Sequence, residues 1–152
     1  MRAEPVHADP ERAPQRAFRF SGAGFDLAVS GGLSTTATGT VAMVEGDDAI
    51  RQAIMLLLST VPGERLMRPD YGSHLHRLLF AVNDQTTAGL AIHYVRQAIE
   101  RWEPRVAIVD VDAASDPGLP EQLNIRLTYR VRAGVATEIL VYPLDLSGGG
   151  LT

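Results

Sequence analysis

The chain has 152 residues, 45% of them hydrophobic, enough for one domain with a real core. A formal charge of −4 leaves no basic excess to neutralise phosphates, which argues against a generic nucleic-acid binder. All 14 basic residues are arginine and there is no cysteine, so disulfides, thiolate nucleophiles, cysteine zinc sites, P-loop lysines and Schiff-base lysines are excluded.

No apolar run approaches the ~20 residues of a membrane span. The stretch Met1–Arg19 lacks the apolar centre of a signal peptide, so synthesis in the cytoplasm without export is expected. Up to about Ala17 the chain carries Pro5, Pro10 and Pro14 among charges, the composition of a flexible arm. Phe18, Phe20 and Phe25 read as anchors of that arm, either on its own domain or on a partner. A glycine- and threonine-rich tract around Gly31, Gly32 and Gly39 reads as loop, and Thr40–Val44 as a short strand.

Asp47 is the expected N-cap of a first helix, whose apolar positions Ile50, Ala53, Ile54, Leu57, Leu58 and Val61 have amphipathic spacing. Pro62-Gly63 stops it. Glu64 to Gly72 follows as an ordered loop, stiffened by Pro69 and with Gly72 suited to positive φ. Ser73–Phe80 reads as a short helix with Leu75, Leu78 and Leu79 inward. Asn83 or Asp84 then caps a longer helix with Ala91, Val95, Ala98, Ile99 and Trp102 on one face, widened by Leu90 and Tyr94.

Pro104 ends that helix, because proline pushes Glu103 out of the helical region. Glu103, Pro104 and Arg105 thus form a rigid corner over Trp102, and Glu64, Arg65 and Arg68 a second one. The period then changes to two. Ala107, Val109, Val111 and Ala113 alternate with Ile108, Asp110 and Asp112; Asp116-Pro117-Gly118 is a turn signal. Leu123, Ile125, Leu127, Tyr129 and Val131 form the clearest strand, Ala133-Gly134 a tight hairpin turn, and Ala136–Tyr142 a third strand ended by Pro143. The predicted fold is α+β, with N-terminal helices packed on a small C-terminal antiparallel three-stranded sheet.

Several surfaces follow from this outline. The last strand, Glu138-Ile139-Leu140-Val141-Tyr142, has an apolar edge that needs either a partner strand or the chain's own arm. Asp110 and Asp112 are placed to face Arg126, Arg130 or Arg132, as a solvated ion-pair ladder or as a slightly basic interface. For Glu103 and Arg105 the alternatives are a local salt bridge and an arginine grip on a partner carboxylate. Glu64, Arg65 and Arg68 read as loop anchors, with docking as their alternative.

These corners resemble the baseplate wedge family of contractile-tailed phages. It is often described as lysozyme-like, includes phage protein W, and has relatives in type VI secretion and extracellular contractile injection systems. The matching residues are Ile50–Ile54, Leu56–Leu58, Thr60, Gly63-Glu64-Arg65, Arg68-Pro69-Asp70-Tyr71-Gly72, Leu78, Phe80, Ile99, Trp102-Glu103-Pro104-Arg105 and the strand ending at Tyr129. In order and spacing they cover about Glu45 to Leu144; the glycine-rich stretch before Glu45 departs from the pattern. The division implied is an arm over 1–44, partly extended, a wedge domain over 45–146 and a flexible tail over 147–152.

The resemblance implies a structural protein at the top of a wedge, beside the inner tube, templating the first sheath layer. Glu103-Pro104-Arg105 would dock on helices of a larger wedge protein, and Leu123–Tyr142 would resemble the strand-exchange domain of a sheath subunit. The implied partners are larger wedge proteins, sheath subunits and inner tube or spike proteins, in multiple copies around a symmetric baseplate. Nucleic acid, membrane and cofactor have no place in it. Assembly into the tail or injection particle would occur in the cytoplasm, with release in the particle.

One rival is a peptidoglycan-cleaving enzyme, but its candidate carboxylates Glu64, Asp70, Glu100 and Glu103 each lie beside an arginine, which favours ionisation over acid work. No catalytic residue is assigned. His7, His74, His76 and His93 complete no recognisable ligand spacing, and no metal site is expected. A generic interaction adaptor is the other rival.

Overall fold

The computed structural model describes residues 16–18, 20–21, 32–33 and 43–148. The arm before Arg16, His7, Phe25, most of the glycine-threonine tract and the tail beyond Gly148 lie outside the described residues. Strand β1 (Arg16–Phe18) pairs antiparallel with β4 (Met43–Glu45), and β2 (Phe20–Ser21) with β3 (Gly32–Leu33). Of the strand expected over Thr40–Val44, Met43 and Val44 lie in β4, and Thr40–Ala42 lie outside the described residues.

Helix α1 spans Asp47–Ser59. Its N-cap is Gly46, not Asp47: the Gly46 carbonyl accepts from Ala49 and Ile50, and its φ of 64° is one that glycine adopts freely. Asp47 and Asp48 instead occupy the first turn, where carboxylates oppose the positive end of the helix dipole. Ile50, Ile54, Leu57 and Leu58 are buried as the spacing predicts, and Met55 joins them. Thr60 closes the helix, its N–H and hydroxyl both donating to the Leu56 carbonyl at 3.0 and 2.5 Å.

The short helix is a 3-10 helix, His74–Leu78, which buries Leu75 and Leu78 and leaves Leu79 half-buried. Helix α2 spans Gln85–Trp102 and is capped by Asp84, whose carboxylate accepts from Thr87 N–H at 2.8 Å. Ala91, Val95, Ala98 and Ile99 are buried, with Tyr94 and Trp102 packed at the margin. Leu90, expected to widen the stripe, is exposed; Ala88 and Ile92 flank the core instead.

A three-stranded antiparallel sheet follows in the order β5 (Val106–Ser115), β6 (Gln122–Val131), β7 (Thr137–Asp145). Strand β6 alternates as expected, with Leu123, Ile125, Leu127, Tyr129 and Val131 buried. Strand β5 does not. Its register jumps between Ile108 and Asp110, so Val109 is an extra, 57% exposed residue. A bulge reverses the phase of a strand, and the inward set becomes Val106, Ile108, Val111 and Ala113 rather than Ala107, Val109, Val111 and Ala113. The β6–β7 connection is longer than a tight hairpin, running over residues 132–136. Strand β7 continues through Pro143, which an edge strand tolerates.

The fold is α+β, with the core between the helices and one face of the sheet, and α2 lying across β5 and β6. Tyr129 is fully buried at the centre of this layer, and its hydroxyl has no hydrogen-bond partner among the described residues. A buried hydroxyl without a partner costs stability that a phenyl ring does not. Tyr129→Phe is therefore expected to raise stability by about 1 kcal/mol, read by urea denaturation; a loss of that size would mean the hydroxyl has a partner.

Candidate docking surface

The corner after α2 is built by Pro104. Glu103 leaves the helical region (φ −125°, ψ 71°), as the proline after it requires, while its N–H still donates to the Ile99 carbonyl at 2.8 Å. Glu103 is only 6% exposed, and its carboxylate accepts from Arg105 through two bonds, Nε at 2.5 Å and Nη2 at 2.7 Å. This fork-to-carboxylate bond is the main cause holding the Arg105 guanidinium above its usual pKa, against the effect of burial. The exit of β6 is tied to the same corner, since Arg132 donates from its backbone N–H to Arg105 carbonyl at 2.8 Å and from Nε to Pro104 carbonyl at 2.9 Å. Arg132 is thus a clamp beyond the end of β6 rather than part of a polar sheet face. Arg126 and Arg130 do lie on the exposed face, with Asp112 directly across from Arg126, but no ion pair closes there among the described residues.

The second corner is a run of β-turns. Glu64 N–H donates to Val61 carbonyl at 3.1 Å, Arg68 to Arg65 at 3.2 Å and Tyr71 to Arg68 at 3.1 Å. Pro62 and Gly63 occupy the central positions of the first turn, with Gly63 at φ 99°, the pattern of a type II turn. Gly63 N–H bonds Pro69 carbonyl at 2.7 Å and closes the loop on itself. Gly72 permits the return: a Cβ there would run into the Thr60 carbonyl oxygen. Ser73 then bonds the end of α1 twice, N–H to Thr60 carbonyl at 2.9 Å and hydroxyl to Leu58 carbonyl at 2.8 Å. Glu64 accepts from Val61 N–H, and Arg65 lies over the Tyr71 ring at 4.5 Å. Tyr71 packs edge-on against Trp102 at 5.4 Å, so the two corners share one aromatic contact. No single residue of that sequence announced the stack.

An open groove of about 620 Å³ lies between α2 and β5 beside the first corner, lined by Arg96, Glu100, Glu103, Pro104, Ile108 and Arg132 among others.

Strand β7 keeps an outer edge that is unpaired among the described residues; the N-terminal strands pair with one another. Which backbone groups face that edge follows from Pro143. It stands opposite Asn124 and has no N–H, so its position points away from β6. Backbone direction alternates along a strand, so Ile139 and Val141 point outward too. Arg51 on α1 bears this out by donating to the Ile139 carbonyl at 3.1 Å. Glu138, Leu140 and Tyr142 turn their backbone toward β6, with Leu140 buried and Glu138 and Tyr142 half-buried. From Thr137 to Pro143 the open part of the edge is thus both groups of Thr137 and Val141, the Ile139 N–H and the Pro143 carbonyl.

Residues 44–135 match the family model described as baseplate wedge protein gp25. The chain belongs to this baseplate wedge family. It is similar to a protein from Geobacter sulfurreducens named as a proposed tail lysozyme, with 38% identity, a TM-score of 0.63, and coverage of 69% of this chain and 96% of that one. It is also similar to a chain of the anti-feeding prophage baseplate, with 26% identity, a TM-score of 0.61, and coverage of 68% and 82%. A chain of the contracted pyocin R2 baseplate is 22% identical over 75% of this chain and 96% of that one, with a TM-score of 0.46. No curated protein sequence matches.

In this wedge protein His74 and His76 lie in the 3-10 helix and His93 on the exposed side of α2. His74 and His76 have ring centroids 5.9 Å apart, and no cluster of metal-ligating residues forms among the described residues. Burial first, then the charges of Arg77, His76 and Arg101, lower the pKa of His74 from 6.5, and its Nδ1 is enclosed without a partner. The fold thus favours neutral His74. Its contribution to stability is complete above pH 6.5 and is lost as the pH falls below that value. Lowering the pH from 8 to 5 is expected to reduce the melting temperature, and His74→Gln to shrink the reduction; an identical pH profile in the variant would remove His74 as its cause.

Removing Glu103 leaves Arg105 without its partner at a half-buried site. Glu103→Ala is expected to cost about 1–3 kcal/mol. In a double-mutant cycle with Arg105→Ala, the coupling should exceed the ~0–1 kcal/mol of an exposed pair, as measured by urea denaturation. A coupling near zero would make the corner's rigidity a property of Pro104 alone.

Proposed function

We propose that this wedge-family chain is a structural connector of a contractile-tail baseplate. It joins a larger wedge protein, through the Trp102–Arg105 corner, to the first sheath layer, through strand addition at β7. The observation that carries this reading is the outward edge at Ile139 and Val141, apolar and unpaired among the described residues. Arg51 occupies the Ile139 carbonyl and Pro143 withholds an N–H, so an incoming strand finds two bonding positions closed, which disfavours some registers. A similar chain stands in the anti-feeding prophage baseplate, which is a six-fold assembly. Among the described residues no helix is long and apolar enough to cross a membrane. The docking of Glu103 and Arg105 would use the edge of an already formed pair, since each satisfies the other.

The name of the Geobacter sulfurreducens relative favours a second reading, cleavage of cell-wall glycan. The carboxylates speak against it. Glu103 is held by Arg105, Asp70 lies 3.8 Å from Arg101, and Glu64 accepts a backbone N–H. A general acid must present its carboxyl to the substrate across a cleft, and these three are turned to partners within the chain. Turbidity clearing of cell walls by the purified chain, abolished by Glu64→Gln or Glu100→Gln, would favour the enzyme.

Val141→Pro tests the connector. The missing N–H faces solvent, so circular dichroism should be unchanged, whereas an added strand loses a bond and meets the ring. In cells assembling the particle, electron microscopy is expected to show baseplates with absent or short sheaths; sheaths of normal length on a folded variant would end the strand-addition reading.

A further inference from the structure

The tip of the loop between α1 and the 3-10 helix has no role in what precedes. Leu66 and Met67 are the central residues of the turn closed by Arg68 N–H and Arg65 carbonyl, and they are 96% and 94% exposed. Single apolar side chains on a surface mean little. These are adjacent, almost wholly in solvent, and mounted on a loop that is braced at every step: turn bonds on either side, the Gly63–Pro69 closure, the Gly72 contact and the Ser73 bonds to α1. A braced tip loses little conformational entropy on docking, the condition for apolar side chains to contribute affinity.

The flanking residues state the chemistry of the occupant. Arg65 is propped against Tyr71, and Arg68 makes no ion pair among the described residues while its charge reaches the same ring. Two cations therefore bracket an apolar pair. An anionic lipid surface is disfavoured, because Glu64 and Asp70 in the same loop cancel the charge of Arg65 and Arg68 and leave no net attraction. A protein groove places its carboxylates individually and does not meet this cancellation.

We infer that the Arg65–Arg68 tip is an insertion element: Leu66 and Met67 enter an apolar groove of a partner protein whose rim carries carboxylates facing Arg65 and Arg68. The inference rests on the baseplate reading and adds a third contact to it. Through Tyr71 and Trp102 the tip is coupled to the Glu103–Arg105 corner, so both bear on one partner.

The test places photoreactive benzoylphenylalanine at position 67, and separately at positions 104 and 141, in the full chain within cells assembling the particle. The expected result is an adduct from position 67 to a baseplate protein, at a peptide with apolar residues flanked by Asp or Glu. Leu66→Ser with Met67→Ser should lower recovery of that protein at least tenfold without changing the melting temperature. Arg68→Glu should lower it more at low salt than at high salt. Adducts from 104 and 141 but none from 67 would overturn the inference while leaving the baseplate reading intact. So would adducts from 67 only to lipid, to a second copy of the chain, or to a peptide without carboxylates. No adduct from any of the three positions would overturn both.

Discussion

The bond between Glu103 and Arg105 is the constraint on which the rest of the molecule depends. A carboxylate that is 6% exposed needs a counter-charge and hydrogen bonds, and a guanidinium two residues on supplies both only if the chain turns sharply between them. Pro104 makes that turn. The turn delivers β5 alongside α2, which lets Val106 and Ile108 meet Ile99 and closes the core. The carbonyls of Pro104 and Arg105 then hold Arg132 and fix where β6 ends. A pair this well satisfied is a scaffold first. Anything it does toward a partner is done through shape and remaining donor directions, not through a free charge.

The loop after α1 obeys the same logic without a buried charge. The N–H groups of Gly63, Glu64, Arg68, Tyr71 and Ser73 bond carbonyls within the loop or at the end of α1, which is why a polar, glycine- and proline-bearing segment can be rigid. Gly63 and Gly72 are there for opposite reasons. Gly63 supplies a positive φ with nothing near it, whereas Gly72 has both a positive φ and a backbone oxygen where a side chain would start. Arg65, Tyr71 and Trp102 then carry that rigidity to the corner.

Most of the architecture was legible in the sequence because its driving pattern is periodic. The stripe of α1 and the alternation of β6 each follow from burial on one face, and the α+β outline, with the helices ahead of the sheet, follows from the change of period at Pro104. Where the sequence misled, the cause was a local event that periodicity cannot register. Val109 is apolar and fits an alternating series, yet the bulge turns it out. Asp47 has the right chemistry for a cap, but the positive φ that starts the helix belongs to Gly46. Leu90 fits the helical stripe but lies past the edge of what the sheet covers. Of the candidate surfaces, the positions of Glu103 and Arg105 were visible, while the burial of Glu103 was not; a glutamate before proline reads as exposed until its arginine is seen folded back on it. The bond from Arg51 to β7 had no signal at all, since an arginine on the polar face of a helix is the commonest thing there.

The parity of β7 decides which of its residues matter to a neighbour. From the sequence the five residues Glu138–Tyr142 were equivalent members of an edge. Pro143 breaks that equivalence, because a residue without an N–H inside a paired strand must turn its nitrogen away from the partner. Counting back by twos, Val141 and Ile139 offer their backbone outward, and Leu140 does not. Leu140 belongs to the core, so a substitution there unfolds rather than unpairs. Arg51 on the Ile139 carbonyl and the missing N–H of Pro143 close two positions of this edge, which makes it a poorer template for unselective sheet growth than an edge with every group free.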